Sequence, residues 1–429
     1  MRHLIPTTAA AFVALLLSGC TLPPRHPASV TKDRAFISYT PVAADAGKIR
    51  VAVKDLIDMK GEVTTAGSEY LAVHGTPAAR DAACLAQVRS ENVVIVGKTN
   101  LPEFAVSVSG INDYFGTPKN RQSKSRRLIP GGSSSGSAGA LADGLADVAL
   151  GTDTAGSIRV PAACIGIAGL KTTFGLISLK GVYPVAPEHL DTVGPMARDV
   201  DGLVTGMELL KPGFTSRYSA AAAAHPSGKS IRIGRLYLKG TETSVDRAVD
   251  RALLAAGFEV VRLNEALAGE WRQAEKNAHT IAASGAWLQN EAYLAEDKVS
   301  ARAKAALLLG AAEYPAGYKE AVRQKAGWQR TMRRVFREVD FIALPTLQKL
   351  PPSIPIFGRT ALFEAVVLAI QNTSPVNLAG NPALAIPIPL EPKRGERRRD
   401  PLETSLQLVG PKFSEAALLN AGRLVEKAL

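Results

Sequence analysis

The sequence predicts an α/β protein in which helices cover both faces of one large, mixed and mostly parallel β-sheet. Strand-like and helical segments alternate from residue 49 onward, as they do in chains that build parallel sheets. Of the 429 residues, 46% are hydrophobic and 21% are charged, which allows a large core and excludes the composition of a disordered polymer. A globular chain of one large or two modest domains is therefore expected.

The first half of the chain contains most of this alternation. Apolar residues in short β-branched runs indicate strands, whereas wider apolar spacing in alanine-rich stretches indicates helices. The predicted elements are a strand at 49–56, a helix at 78–90, a strand at 92–99, a Gly/Ser-rich turn at 131–137, a helix through 140–146, a strand at 147–152 and a turn at 153–157.

The second half changes character before the strand pattern returns. Residues 214–335 are rich in Ala, Lys, Arg and Glu at helical spacing, which predicts a helical subdomain or insertion. Strands are predicted again at 341–346, 382–389 and 405–410, so the C-terminal part is expected to complete the sheet. The charged run at 391–401 is expected to be a surface loop between two of these strands.

The first 20 residues are typical of an export signal. A positive start at Arg2 precedes an apolar stretch that is too short for a membrane-spanning helix. The ending LSGC resembles a bacterial lipobox, which implies cleavage before Cys20 and attachment of lipid to it. We therefore expect a signal peptide at 1–19, a lipidated tether at 20–40 and a membrane-anchored protein of the cell envelope. Thr21 favours the periplasmic face of the outer membrane.

The composition of the chain limits which partners and cofactors are expected. The formal charge of +12 comes largely from short basic clusters typical of solvated loops, and no nucleic-acid-binding pattern accompanies them. Nucleic acid is therefore not an expected partner. The six histidines are scattered singly, so neither a metal site nor another cofactor is expected. Cys84 and Cys164, in alanine-rich surroundings, are expected to be buried free thiols rather than a disulfide.

A series of motifs carries the most specific information. The central one is PGGSSSGSAGALADGLADVALGTDTAGSIRVPAACIGIAGLKTTFG at 130–175, and the others are VAVKDLID at 51–58, TTAGS at 64–68, VIVGKTNLPEFA at 94–105, LDTVGPMA at 190–197, NLAGNPALAIP at 377–387 and LQLVGP at 406–411. Their order and spacing resemble the amidase signature family. The resemblance implies the fold of that family across 41–429 and a hydrolase that acts on linear amides.

The resemblance also implies a catalytic set of three residues. Ser157 in GTDTAGSIR matches the nucleophile, Ser133 matches a bridging serine preceded by a cis peptide bond, and Lys54 in AVKD matches the general base. A serine hydroxyl needs a base to take its proton during attack on a carbonyl. Because a hydroxyl can donate and accept at once, the bridging serine is suited to relay that proton. The implied reaction turns a small carboxylic amide into a carboxylate and ammonia or an amine through an acyl-enzyme.

Lys54 can act as a base only if its pKa is strongly lowered. A lysine in water titrates near pH 10.4, so a half-neutral lysine at pH 7 requires a fall of about 3 units. That fall predicts a buried site. Asp55 would hold a neighbouring lysine charged, but successive side chains of a strand point to opposite faces. With Lys54 turned inward, Asp55 is expected to point outward.

The turn before the nucleophile is implied as the oxyanion hole. The backbone amides of Thr154, Ala155 and Gly156 are expected to face the tetrahedral oxyanion. Family members commonly carry glycine at the position of Ala155. The methyl group is tolerated only if the backbone there does not require a conformation open to glycine alone.

Further polar residues near the signature are candidates for substrate binding or support. Arg159 is suited to a substrate carboxylate, although a structural ion pair near the turn is the favoured interpretation. Asp153 and Thr152 are expected to brace the turn by hydrogen bonding rather than take part in the chemistry. Ser134 is expected either to assist at the site or to structure its loop.

Several functions other than that of a small-amide amidase are considered as alternatives. Residues 132–136 match the G-x-S-x-G elbow, with Ser134 as nucleophile and His189 as base, but the segment before them is polar and basic rather than a strand. An esterase with the same site and a lipoprotein that uses the fold only for binding are further hypotheses. The family branch that supplies ammonia to a tRNA-dependent amidotransferase does not fit an exported protein, which has no access to aminoacyl-tRNA.

Overall fold

A single sheet of eleven strands forms the centre of the computed structural model, which describes residues 33–44, 47–90, 92–123, 125–355, 360–369, 371–391 and 403–429. The strands are β1 (Phe36–Tyr39), β2 (Ile49–Lys54), β3 (Val93–Thr99), β4 (Val148–Asp153), β5 (Ala168–Lys171), β6 (Thr192–Ala197), β7 (Arg232–Arg235), β8 (Glu259–Arg262), β9 (Phe341–Pro345), β10 (Ala383–Pro389) and β11 (Glu403–Val409). Their order across the sheet is β1-β3-β2-β4-β6-β5-β10-β11-β9-β7-β8.

The sheet is mixed, as predicted, but it is not mostly parallel. Within the described residues, four of the ten neighbouring pairs are parallel and six are antiparallel. A parallel pair of consecutive strands needs a long crossover, usually through a helix. The connection between β5 and β6, residues 172–191, contains no helix, and these two strands pair antiparallel. The predicted α/β class is confirmed, while the parallel majority was wrong.

Helices cover both faces of the sheet. They are α1 (Glu69–His74), α2 (Ser135–Ala142), α3 (Arg159–Ile165), α4 (Val200–Leu210), α5 (Phe214–Ala224), α6 (Thr243–Ala255), α7 (Glu265–Asn290), α8 (Ala301–Glu313), α9 (Lys319–Val335), α10 (Thr360–Ala369), α11 (Ser374–Ala379) and α12 (Glu415–Ala428). Alternation along β2 shows the two layers. Val51 and Val53 share a core cluster with residues of α4, α6 and α12, whereas Ala52 shares another with α2 and α3. Lys54 continues the Ala52 side by strand alternation.

The region expected to be helical also contributes to the sheet. Residues 214–335 contain the five helices α5 to α9, together with strands β7 and β8. These two strands extend the sheet from β9 by parallel pairing. The division of the chain into domains stays a prediction.

The helix predicted at 78–90 is wrong, because only a 3-10 turn forms there, at Ala83–Leu85. The backbone amides of Ala82 and Ala83 donate to the carbonyl groups of Asp58 and Lys180, both at 2.9 Å. Hydrogen bonds to distant loops thus replace the local ones of a helix.

Two further expectations concern the thiols and the membrane. Cys84 and Cys164 are buried and free, as predicted. In the part of the chain that the structure describes, no helix has both the length and the apolar character needed to cross a bilayer. The expected signal peptide at 1–19, Cys20 and the tether as far as residue 32 lie outside the described residues.

Candidate active site

The candidate site lies at the carboxyl ends of two neighbouring parallel strands. Strand β2 ends at Lys54 and strand β4 ends at Asp153, and the two strands pair along Val51–Val53. The loops that follow such strand ends are a common location for ligand sites in α/β sheets. The segment before α2 and the turn before α3 meet here, and each carries one of the candidate serines.

Lys54 contacts two hydroxyl groups in a fully buried position. Its Nζ atom lies 2.7 Å from Ser133 Oγ and 2.8 Å from Thr152 Oγ1, and its side chain is completely shielded from solvent. The peptide bond between Gly132 and Ser133 is cis. The structure thus brings Lys54 and Ser133 together, and it adds Thr152, which sequence reasoning placed only in the support of the turn.

Burial sets the protonation of this lysine. Desolvation lowers the pKa of Lys54 to about 7, against the opposing attraction of the Asp153 and Asp191 carboxylates. Near neutral pH, a substantial fraction of Lys54 is therefore uncharged and can accept a proton.

Asp55 points away from Lys54, but it does not reach solvent. Its side chain is fully buried, and Oδ1 forms a salt bridge of 2.7 Å with Lys98 Nζ from the adjacent strand β3. Thr65 also donates its backbone amide and its hydroxyl to the Asp55 carboxylate. The outward position expected for Asp55 is therefore wrong, because the opposite face of β2 is covered there and supplies its own counter-charge.

Ser157 lies in the turn between β4 and α3. Its side chain is partly exposed and makes no hydrogen bond to the described residues. The backbone amide of Ser134 donates to the carbonyl of Ser157 at 3.1 Å. This contact places the Ser133–Ser134 segment beside the turn, and the partial exposure leaves the Ser157 hydroxyl accessible.

The Asp153 carboxylate organises the turn. It accepts hydrogen bonds from the amides of Gly156 at 2.8 Å and Ile158 at 3.1 Å. The amides of Thr154 and Ala155 donate no hydrogen bond within the described residues. Of the three backbone amides implied as oxyanion donors, those of Thr154 and Ala155 are thus free to bind an oxyanion, whereas that of Gly156 donates to the Asp153 carboxylate.

Arg159 is a structural partner of Asp153. The two side chains are fully buried and their charged groups lie 2.9 Å apart. The remaining guanidinium hydrogen bonds go to the Thr373 carbonyl, Asn377 Oδ1 and Gln407 Oε1. Five hydrogen bonds use all five donors of the side chain, which leaves none for a substrate carboxylate. Burial favours the neutral acid, but the Arg159 charge outweighs it and holds the pKa of Asp153 well below its usual range.

Ser134 supports the loop, and the arrangement around it does not form a nucleophile elbow. Its side chain is fully buried, and the hydroxyl donates to the Thr152 carbonyl at 3.4 Å. Among the described residues, no strand lies between Thr99 and α2, although an elbow requires a strand directly before it. The His189 ring packs beside Tyr318, with centroids 6.1 Å apart.

Sequence reasoning missed the residues that hold the turn from outside. Asp191 Oδ1 accepts a hydrogen bond from Thr154 Oγ1 at 2.7 Å, and Thr373 Oγ1 donates to the Ala155 carbonyl at 2.6 Å. Asp191 belongs to the motif LDTVGPMA, which resembles the family. That resemblance was the sequence signal that could have identified Asp191. No comparable signal marks Thr373, which lies 218 residues from Ala155.

The described residues contain no cluster of His, Cys, Asp or Glu side chains arranged to hold a metal ion.

The fold and this arrangement of a buried lysine beside two serine segments define a hydrolase that acts on carbon–nitrogen bonds. The family model described as Amidase matches residues 47–419, and the chain belongs to that family. A glutamyl-tRNA(Gln) amidotransferase subunit of Halobacterium salinarum is 33% identical, over 92% of this chain and 99% of that protein. The 2-amino-5-chloromuconic acid deaminase of Comamonas testosteroni is 32% identical, over 88% of this chain and 80% of that protein.

Solved structures give the same result. The structure of 6-aminohexanoate cyclic dimer hydrolase complexed with substrate superposes with a TM-score of 0.74 at 26% identity. The match covers 89% of this chain and 85% of that one. The predicted family, fold and enzyme class are therefore confirmed.

Two substitutions in the turn are expected to have opposite outcomes. Gly156 has φ of +136°, and a Cβ atom there would lie 2.2 Å from Thr373 Oγ1. Ala155 has no positive φ, so its methyl group is compatible with the backbone. We expect Gly156→Ala to lower kcat by about 10²-fold through displacement of the turn, and Ala155→Gly to leave kcat nearly unchanged. Steady-state hydrolysis by both folded variants tests this, and equal losses would contradict it.

Proposed function

We propose that the protein hydrolyses a small carboxylic amide to a carboxylate and ammonia or an amine, with Ser157 as nucleophile, Ser133 as proton relay and Lys54 as general base. The observation that most supports this proposal is the fully buried Lys54 Nζ, 2.7 Å from Ser133 Oγ. A lysine whose pKa is lowered to about 7 accepts protons at neutral pH.

In the first half of the reaction, Ser157 Oγ attacks the amide carbonyl. Its proton passes to Ser133 Oγ as the Ser133 proton passes to Lys54 Nζ, so neither hydroxyl accumulates charge. The free amides of Thr154 and Ala155 stabilise the tetrahedral oxyanion. The carbon–nitrogen bond breaks as the proton returns through Ser133 to the leaving nitrogen, and an acyl ester remains on Ser157.

In the second half, water replaces Ser157 as the nucleophile. The same relay takes a proton from water, the ester bond breaks, and the proton returns to Ser157 Oγ. The products are a carboxylic acid, which ionises in water, and free enzyme. An ester substrate would enter the same cycle with an alcohol as leaving group, so esterase activity is a second outcome of this chemistry.

A second candidate function comes from the relatives. Several proteins at 30 to 33% identity are the corresponding subunit of glutamyl-tRNA(Gln) amidotransferases, which favours a role as the amide-hydrolysing component of a larger assembly. Glutamine hydrolysis that depends on a co-purifying protein would support this role. Hydrolysis of simple amides by the isolated chain would favour the stand-alone amidase.

The N-terminal sequence supports a separate proposal on location. Cys20 would carry lipid and anchor the enzyme in the cell envelope, and the export signal before it is the supporting feature. Metabolic labelling with palmitate should mark the wild type but not Cys20→Ser. Equal labelling of both chains, or labelling of neither, would overturn the anchor.

The test of the proposed mechanism is reaction of the full chain with a serine-directed fluorophosphonate. Peptide mapping should locate the adduct at Ser157. Ser157→Ala should abolish labelling, Ser133→Ala and Lys54→Ala should reduce its rate steeply, and Ser134→Ala should retain it. Because the base is active when neutral, the labelling rate should rise with pH through about 7 and level off above it.

Two results would contradict the mechanism. An adduct at Ser134 would restore the elbow interpretation. Complete absence of labelling in a folded wild type would favour a chain that uses the fold only for binding, and circular dichroism would establish that the chain is folded.

A further inference from the structure

A cavity of about 360 Å³ lies where α9 and α11 end. Arg333, Phe336 and Arg337 line it from the end of α9, and Pro411 and Lys412 line it from the loop after β11. Its volume is near the lower end of the range for small-molecule sites. The described part of the candidate active site contributes none of these side chains.

The charges around this cavity are uncompensated. Arg333, Arg337 and Lys412 form no salt bridge with the described residues, whereas Arg334 in the same turn of α9 pairs with Glu270 at 3.4 Å. Burial and the nearby Arg333 charge both lower the pKa of Lys412. Three cations thus face one cavity, and the described part of the chain supplies them with no acidic partner.

The negative C-terminal ends of α9 and α11 offset only part of this positive charge. The C-terminus of an α-helix carries about half a negative charge and attracts cations, so the ends of α9 and α11 offset about one charge together. Lys412 is placed for this role, because its Nζ lies 3.2 Å from where a Cβ of Gly380 would be, at the C-cap of α11. Arg333 and Arg337 are exposed and keep their full charge at the rim of the cavity.

We propose that the cavity binds a small organic anion, whose carboxylate or phosphate groups are held by Arg333, Arg337 and Lys412. The planar guanidinium groups suit bidentate contacts with such oxygens. Phe336 and Pro411 offer an apolar surface for the carbon skeleton of the ligand. The anion neutralises the repulsion among the three cations, and that gain is absent for a neutral ligand.

This site is separate from the Ser157 turn. Thr373, at the start of α11, bonds to Ala155, and Ala379, at its end, lines the cavity. Six residues of helix separate the two places by about 9 Å. Trp328 Nε1 of α9 donates to the Pro375 carbonyl at 2.7 Å and fixes the two helices together. Binding is therefore measurable without any assumption about catalysis.

The test is calorimetric titration of the full chain with isophthalate, citrate and inorganic phosphate at about 0.15 M salt, where the Debye length is about 8 Å. The diol 1,3-benzenedimethanol, which has no charge and no amide or ester bond, serves as the neutral control. At least one anion should bind with one site per chain and a Kd below about 1 mM, and the diol should not bind. The double variant Arg333→Gln/Lys412→Gln should weaken that binding at least tenfold.

The matched control is Arg330→Gln, which removes an exposed positive charge from the same helix but does not line the cavity. It should leave binding unchanged. Equal weakening by this control, or no binding of any of the three anions to folded wild type, would overturn the proposal. Fluorophosphonate labelling of Ser157 in the same samples reports on the proposed function separately, so either proposal can fail alone.

Discussion

Lys54→Met is expected to lower kcat for amide hydrolysis by up to about 10⁴-fold, because the substitution removes the only group positioned to receive the relayed proton among the described residues. Methionine has a similar length and fills the buried space without a charge. The residual rate should approach that of Ser157→Ala, since both variants break the same relay. Steady-state kinetics with purified, folded variants would measure the loss.

The same substitution should not weaken the fold. A lysine whose folded pKa lies near 7 rather than 10.5 destabilises the native state most fully below pH 7, and this cost fades as pH rises towards 10.5. After allowance for the lost hydrogen bonds, Lys54→Met should raise the free energy of unfolding by about 2 kcal/mol at pH 7. Denaturant titration at pH 7 and pH 10 should show the gain shrink at the higher pH.

Lys98→Met provides the matched control on the neighbouring strand. This lysine is also buried, but its charge compensates Asp55. Its loss should cost about 3 to 5 kcal/mol of stability, while kcat of the folded fraction stays within about tenfold. A stable Lys98 variant, or an active Lys54 variant, would contradict the different roles given to the two lysines.

Arg159→Met is expected to be the most destabilising single change at the site. It leaves the Asp153 carboxylate buried without its counter-charge and frees the acceptors on Thr373, Asn377 and Gln407. Breaking a buried pair from one side costs about 3 to 5 kcal/mol, which is a large part of the stability of an ordinary protein. The denaturant midpoint of the variant should therefore fall steeply.

Arg334→Met is the control for this experiment. Its partner Glu270 lies 3.4 Å away, and both side chains are substantially exposed. Exposed pairs contribute less than about 1 kcal/mol, so the midpoint should hardly move. If the two arginine variants lost similar stability, the central role of the Asp153–Arg159 pair would be refuted.

Sequence reasoning located the elements with strong patterns. Strands β2, β3, β4, β9, β10 and β11 lie within about two residues of their predicted positions, because each combines several apolar residues with clear flanking turns. The four-residue strands β1, β5, β7 and β8 were missed, since segments such as AGLK and RIGR carry too few apolar residues to show a period. Strand β6 was missed as well, because TVGPMA contains a glycine and a proline, which weaken a strand pattern. Pairing with neighbours, rather than local preference, makes them strands.

Local sequence patterns were also insufficient to predict the contacts within the candidate site. The contact between Lys54 and Ser133 joins residues 79 positions apart, and only the resemblance to a family predicted it. Physical reasoning did predict that a basic Lys54 must be buried. It failed for Asp55, because alternation along a strand gives the direction of a side chain but not what covers the opposite face.

The contacts of Arg159 also bear on the order of events during synthesis. Its partners Thr373, Asn377 and Gln407 follow it by 214, 218 and 248 residues. At about 5 to 20 residues per second, Gln407 leaves the ribosome roughly 12 to 50 s after Arg159. During that interval the nascent chain already contains Lys54, Ser133 and Ser157 but lacks the residues that shape the turn. A premature stop before Thr373 would therefore yield a chain with every candidate catalytic side chain and an unsupported nucleophile.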